Sequence, residues 1–563
     1  MDVHKRQGAS GPATDYNDEK KLNISNTPIG HAAFTEENDG MLPVAAPHAT
    51  MTPKTSATLH RRDYLNFVVL IVLYTLQGVP VGLAFGSVPF ILKLKVSYSQ
   101  VGIFSLALYP YSLKLLWSPI VDAIYSRRIG RRKLWILPVQ LVLGLTLIYL
   151  GLVINKFMDD PATHLHRITV CFFLLVFLCA TQDIAVDGWA LTCLSPESLS
   201  FASTAQTIGM NCGYFSSFTV FLALSSPEFA NRYLRKSPID AGLFNLGGYL
   251  SFWGWMYLAV TAVLFFIPEE PRHLRKRNMD KFSLGHYKNE DHHNRYAERA
   301  PQYLQELKSV YVSMIRVLKL PNVQTLMVIL LVAKLGFQVN EAATNLKLLE
   351  KGLSKEDLSI TVLIDFPFEM IFGYYAGRWS SGKGPLKPWL IGFAGRLFAA
   401  LWAHVILYYF PKIEDGKVPY RLFLVIIAQH LLGLFMSTIQ FVSLCAFHTK
   451  IADPAIGGTY MTTLNTLSNY GGTWPRLIIF YLIDKFTLAT CHVQSTTTVY
   501  TITSEEERQS CLATGGSVEM VHDGYFYTSA ICITLGVIIW FWVKRRVSYL
   551  QALPQSAWRV SKT

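Results

Sequence analysis

Among the ionisable side chains inside stretches apolar enough to cross a bilayer are the cations Lys114, Lys334 and Arg396 and the acids Asp183, Asp365 and Glu369. A charge in that position costs at least about 3 kcal/mol on insertion scales, so each needs a partner or a water-filled cavity. Three cations against three acids leave two readings open. They pair with one another, Lys334 with Glu369 for instance, or some cations are kept for an anionic ligand. Asp183 and Asp187 stand four apart in Thr181-Gln182-Asp183-Ile184-Ala185-Val186-Asp187-Gly188-Trp189, which puts both carboxylates on one helical face. Like charges so placed repel unless a cation lies between them or one holds a proton. Asp187 is near the helix end, within reach of Arg131 or Arg132, whereas the deeper Asp183 is left to carry a proton or touch a ligand. Paired carboxylates also serve acid and base catalysis, yet no nucleophile accompanies these, and an enzyme is not expected. No Cys/His spacing suggests a metal site, and no cofactor is implied.

Other polar groups share the apolar stretches. His430 reads either as a hydrogen-bonded packing residue or as a ligand to substrate. Between 458 and 483 a polar face runs through Thr462, Thr463, Asn465, Thr466, Ser468, Asn469 and Thr473, with Tyr460 before it and Gly471-Gly472-Thr473-Trp474-Pro475 at its end. Hydroxyls and amides at this density suit a polar ligand, and helix-to-helix hydrogen bonds account for some of them equally well. Gln77 offers an amide in a stretch broken by Gly78, Pro80, Gly82 and Gly86.

The elements that must position these groups are twelve apolar segments, near 65–92, 100–124, 135–154, 168–190, 202–223, 248–267, 323–346, 358–375, 388–410, 420–446, 458–483 and 525–543. Each approaches the roughly 20 residues that a helix needs to cross about 30 Å of hydrocarbon. Composition agrees, with 51% hydrophobic and only 16% charged residues. The expectation is an all-α membrane protein in two six-helix halves, 64–267 and 323–543. A polar linker (268–322) joins them, a disordered tail (1–63) precedes them and a basic tail (544–563) follows. The net charge of +13 does not point to nucleic acid, because the basic residues cluster in loops beside the segments. Arg127, Arg128, Arg131, Arg132 and Lys133 follow the second segment, 272–319 is rich in Arg and Lys, and Lys544, Arg545 and Arg546 follow the last. With twelve crossings all lie on one side, which the excess of Lys and Arg marks as the cytosol, so both termini are expected there. Of eight cysteines, Cys491 and Cys511 share the long loop on the opposite side and could form a disulfide.

Two halves also leave a trace of duplication. Leu194-Ser195-Pro196 before the fifth segment is echoed by Ala452-Asp453-Pro454 before the eleventh, and Gly213 by Gly471 at the same offset. Asp122 followed by Ser126-Arg127-Arg128-Ile129-Gly130-Arg131-Arg132-Lys133 resembles the acidic and basic turn of the major facilitators, in a stretched form. There Asp122, Asp187, Arg131 and Arg132 would act as a charge latch that pairs in one conformation and separates in the other; the plainer reading is that the cations anchor the loop.

Four longer strings narrow the resemblance: 76–83 (Leu-Gln-Gly-Val-Pro-Val-Gly-Leu), 112–119 (Ser-Leu-Lys-Leu-Leu-Trp-Ser-Pro), 181–189 given above, and 451–461 (Ile-Ala-Asp-Pro-Ala-Ile-Gly-Gly-Thr-Tyr-Met). Together they resemble the acetyl-coenzyme A transporters of the endoplasmic reticulum membrane, a branch of the major facilitators, over 64–543. The resemblance implies a major facilitator fold and import of cytosolic acetyl-coenzyme A into the lumen by alternating access, with coenzyme A as a plausible counter-substrate and lumenal acetylation as the use. Such a cargo asks for Lys or Arg at phosphate, an aromatic face for adenine and amides for its arm. Lys114, Lys334, Arg396, His430, Gln77, Asn465, Tyr460 and Trp474 are the candidates. The lipid bilayer is the expected surrounding, and a homodimer stays open. Rival readings are another bulky amphiphile, as carried by the related muropeptide permeases, and a membrane acetyltransferase with His430 as base.

Overall fold

The computed structural model describes residues 60–560 apart from 125–129, 131, 196–197, 199–200, 238, 240, 268–294, 381–383, 412–417, 454–456, 494–497 and 503–504. The first tail and the first part of the linker therefore lie outside the described residues.

Helices account for nearly all of it. In the first half, α1 (Tyr64–Gly82) continues through a wide turn at Leu83–Ser87 to Lys93, and α2 (Tyr98–Phe104) opens the second segment. Then come α3 (Lys133–Asp159), α4 (Pro161–Cys193), α5 (Phe201–Phe215) and α6 (Leu246–Phe266). A linker helix, α7 (Arg295–Leu318), precedes the second half. There α8 (Pro321–Val332) and α9 (Gln338–Glu350) form one interrupted segment, followed by α10 (Lys355–Ser380), α11 (Leu386–Tyr408), α12 (Tyr420–Ile451) and α13 (Gly457–Phe486). A small unit of β1 (Leu488–Val493), β2 (Thr498–Ile502), α14 (Glu505–Ala513) and β3 (Ser517–His522) leads to α15 (Gly524–Ala552).

Twelve spans are expected from the sequence; among the described residues, nine helical stretches are long and apolar enough to cross a membrane. The other three have separate explanations. The second segment breaks after Phe104 into turns and helices of three to six residues, ending at Ala123. Pro110 and Pro119 sit in those short helices, and a proline has no N–H to continue the ladder. α13 is continuous over 30 residues, but the polar face from Thr462 to Thr473 lowers its apolarity. α10 runs unbroken for 26 residues, although many of its side chains, Asp365 and Glu369 included, lie outside the described residues.

Small residues set the closest helix contacts. A Cβ at Gly78 would come within 3.0 Å of Gly213 Cα and 2.5 Å of Met210 O, so α1 and α5 meet backbone to backbone. Large apolar side chains remain exposed along α3, α6 and α11, among them Leu152, Phe266 and Ile391, as a surface facing lipid requires.

The three strands form an antiparallel sheet in the order β2-β1-β3, with Cys491 opposite both Tyr500 and Val518. Cys491 and Cys511 are disulfide-bonded with Cα atoms 6.0 Å apart, tying β1 to α14. Nothing in the sequence reading anticipated the sheet. The sheet lies at one end of the molecule, the sheet face, and α7 at the other, the linker face. Residues 544–552, expected to begin a tail, instead prolong α15. The segment beyond folds back until Trp558 is fully buried against Phe447.

The halves meet at the sheet face and at mid-depth. Asp484 accepts hydrogen bonds from the backbone N–H groups of Tyr98 and Ser99 at 3.1 and 2.6 Å. The Tyr98 hydroxyl donates to Glu350 at 2.9 Å. Deeper, Ser112 and Thr473 share a 2.7 Å hydroxyl contact and the rings of Tyr109 and Tyr470 meet edge to face.

Candidate substrate site

Lys334 sits where the seventh segment breaks. α8 ends at Val332, a tight turn covers Leu335–Phe337, and α9 begins at Gln338. Interrupted helices near mid-membrane are the places where transporters build binding sites, because the interruption frees backbone polar groups to face a cavity. Such a cavity, about 90 Å³, is lined by Lys334, Arg396, Gln440, Ser437, Ser468 and Trp389 together with Leu330, Ala333, Phe441 and Leu444. Its polar groups come from four segments of the C-terminal half.

The two cations on this wall differ in what holds them. Arg396 pairs through Nη2 with Glu341, donates from Nη1 to Gln440 Oε1 at 2.5 Å, and lays its guanidinium 3.8 Å from the Phe337 ring centroid. Its charge is thus matched within the protein. Among the described residues, no carboxylate lies within ion-pairing distance of Lys334. Its stem instead packs on α13, where the Cβ missing from Gly472 leaves room: a methyl there would stand 3.1 Å from Lys334 Cδ and 3.2 Å from Nζ.

A further cation, Arg476, lies one helical turn beyond Gly472 and rests over Phe85 of the N-terminal half, 5.7 Å from the ring centroid. The sequence reading passed over Arg476, although the count of charges applied to the other segments would have found it.

The remaining candidates are dispersed. Lys114 is buried in the N-terminal half, 2.5 Å from Asp183 Oδ2, with the Tyr111 hydroxyl 3.5 Å from the same oxygen. The internal pair weighed as an alternative is thus present for these two residues, whereas the partner of Arg396 is Glu341, which the sequence reading did not weigh. Tyr460 is fully buried with its hydroxyl donating to Trp558 O, and the Trp474 indole donates to Leu331 O; neither lines the cavity. Asn465 meets His448 at 2.9 Å. His430 is half-buried on α12 and is also absent from the cavity wall. Gln77 is 1% exposed, and neither its amide oxygen nor its nitrogen has a hydrogen-bond partner.

For the latch, Asp187 Oδ1 accepts from the Tyr74 hydroxyl at 2.6 Å and from Gln206 Nε2 at 3.1 Å, while Oδ2 is buried without a hydrogen bond. The Arg132 guanidinium packs over the Gly188 backbone next to it, in the space a Cβ would need. Asp187 and Arg132 are therefore brought together by α4 and the start of α3. The Asp122 side chain and Arg131 lie outside the described residues.

The family model described as acetyl-coenzyme A transporter 1 matches this chain over residues 66–385 and 381–560. An uncharacterized membrane protein of Saccharomyces cerevisiae is 47% identical over 90% of the chain and 100% of its own length. An uncharacterized protein of Schizosaccharomyces pombe is 40% identical over 90% of the chain and 91% of its own length. Among solved structures, a bacterial homologue of the human lysosomal transporter Spinster, inward-facing and unoccupied, superposes with a TM-score of 0.55 at 14% identity, covering 88% of this chain and 99% of that one. At that identity the likeness speaks for the fold alone, which is of the major facilitator kind.

Proposed function

This chain belongs to the acetyl-coenzyme A transporter 1 family, whose model covers both of its halves, and on that premise we propose that its cargo is acetyl-coenzyme A, carried from the cytosol into the endoplasmic reticulum lumen. The protein is a carrier rather than an enzyme, a multi-span membrane protein that moves a small metabolite by alternating access. In the proposed arrangement twelve segments cross the membrane in two six-helix halves. Both termini and the 268–322 linker lie in the cytosol, the sheet face in the lumen, and coenzyme A leaves in exchange.

The observation that carries the reading is the cationic wall around Lys334. Arg396 is matched by Glu341, but Lys334 brings positive charge to the cavity without a carboxylate among the described residues to meet it. A cargo with several phosphates supplies that charge. Trp389 and Phe441 on the same wall offer ring faces to a base, and Gln440, Ser437 and Ser468 offer hydrogen bonds to an amide arm. A volume of about 90 Å³ is well below the roughly 300 Å³ at which pockets for drug-sized ligands begin. With Asp484 and Tyr98 holding the sheet face shut, admission of such a cargo requires the halves to rock apart at the linker face.

Purified protein in sealed vesicles should accumulate intact labelled acetyl-coenzyme A, faster when the vesicles hold coenzyme A. Release of free coenzyme A with label on an acceptor would turn the reading towards an acetyltransferase. No uptake in either condition would end it.

A further inference from the structure

The turn between α12 and α13 is held by a segment from far along the chain. α15 ends at Ala552, Pro554 cannot continue it, and residues 553–560 fold back onto the linker face with a short tight turn at Gln555–Trp558. Trp558 is 1% exposed and meets Phe447 edge to face. Leu553, Ala557 and Val560 pack against the same apolar cluster, which includes Val323 of α8 and Tyr460 of α13. Polar contacts fix the segment from both sides. Val560 donates its backbone N–H to Asp453 Oδ2 at 3.1 Å, Gln555 donates to Lys450 O at 3.2 Å, and Trp558 O accepts from the Tyr460 hydroxyl at 3.1 Å. From the start of α8, Asn322 Nδ2 donates to Ala557 O at 2.9 Å.

In the N-terminal half the corresponding place is filled directly. Ser195 matches Asp453 in the duplicated turns, and its hydroxyl donates to Asp63, beside the start of α1. Ser198 Oγ accepts from the His60 N–H at 3.2 Å, and Asn66 Nδ2 donates to Cys193 O at 2.7 Å. The first helix of that half thus holds its own α4–α5 turn. In the C-terminal half α8 reaches its turn through the intervening segment, with Asn322 on one side and Asp453 and Tyr460 on the other.

We infer that residues 553–560 are a brace that makes α8 follow the α12–α13 turn when the linker face opens, with Trp558 as its positioning residue. α8 leads from Asn322 to the break at Lys334, so the brace joins the moving rim to one wall of the cavity. Interlocked side chains move together, because a close-packed interior passes between discrete arrangements instead of deforming. None of the brace lines the cavity, so its loss should slow turnover and leave cargo binding in place. The inference rests on alternating access by this chain and not on which cargo is carried.

The test compares the full chain with Trp558→Ala and with a chain ending at Ala552, each in sealed vesicles with labelled acetyl-coenzyme A as probe. Both changes should lower the maximal rate of uptake about tenfold and leave KM within about twofold, the pattern of a lost conformational step and not of lost binding. Trp558→Phe, which keeps a ring against Phe447, should retain most of the rate, and a peptide of residues 553–563 added to the truncated chain should restore it. Hydrogen exchange needs no cargo: on truncation, protection should fall at the start of α8 as well as at the α12–α13 turn, while α1 and α4 stay as in the parent. A fall at the turn alone, a fall spread over both halves, or a raised KM with an unchanged rate would overturn the inference. So would loss of uptake when Asn322→Cys and Ala557→Cys are crosslinked, since a brace stays docked through the cycle. A parent chain that takes up no acetyl-coenzyme A, yet shows the joint loss of protection on truncation, would uphold the brace and refute that cargo.

Discussion

The carboxylate of Asp484 in the C-terminal half caps a helix of the N-terminal half, its two oxygens accepting from the backbone N–H groups of Tyr98 and Ser99. The first turn of a helix leaves such donors without intrahelical partners, and an acid placed there also meets the positive end of the helix dipole. Here the cap comes from nearly four hundred residues away and holds two halves together. Removing it weakens that closure by about 1 kcal/mol, the usual worth of a cap. Asp484→Ala should accordingly raise the reactivity of a cysteine placed at Leu477 towards an impermeant reagent applied from the sheet face. An unchanged reactivity would reduce Asp484 to a local cap.

Lys114 and Asp183 make a contrasting pair, 3% and 1% exposed at the side chain. Removing one partner of a buried ion pair leaves an uncompensated charge and costs about 3–5 kcal/mol, whereas removing both is far milder. Lys114→Gln should lower the unfolding temperature of the purified protein markedly, and the double variant Lys114→Gln with Asp183→Asn should recover most of the loss. Lys334→Gln, with no carboxylate to orphan among the described residues, should unfold like the parent. Equal destabilisation by all three would remove the distinction between a structural and a ligand-facing cation.

The sheet unit gives a test of orientation. Its disulfide closes a loop with a sequence separation of 20, worth about 3 kcal/mol to the unit in the chain-entropy account. In sealed microsomes, added protease should trim tags at both termini and spare the segment from Leu488 to His522. Mass spectrometry without reduction should find Cys491 and Cys511 linked. A protected terminus, or both thiols alkylated before reduction, would overturn the proposed topology.

How much of this was legible differs from residue to residue. The long apolar segments announce their helices because length and hydropathy are local properties. The pairing of Lys114 with Asp183 could be named as an option for the same reason. Glu341 and Gln440 could not be named as partners of Arg396, since that contact depends on how three helices pack rather than on spacing along one. The break beside Lys334 is silent too: Ala333-Lys334-Leu335-Gly336-Phe337 has no proline, and only the fold shows the helix tightening there. The sheet escaped notice because its strands are five or six residues long and lie in a mixed, polar loop. The unsatisfied amide of Gln77 and the bare Oδ2 of Asp187 are visible only once burial is known.

The sheet unit also has a mechanical side. α13 ends and α15 begins within one crosslinked knot, where Thr487 donates from its hydroxyl to Ile483 O and accepts from the Gly524 amide. Asp484 lies one turn before Gly524's contact, and Lys347 of α9 reaches Asp523 at 2.6 Å beside it. Three helices of the C-terminal half are thus yoked at the same end that grips the N-terminal half. Load carried through Asp484 is shared among them instead of bending one, and α9 runs from this rim to the break that carries Lys334. The yoke gives the contact at the rim a direct structural link, through α9, to the cavity at the centre.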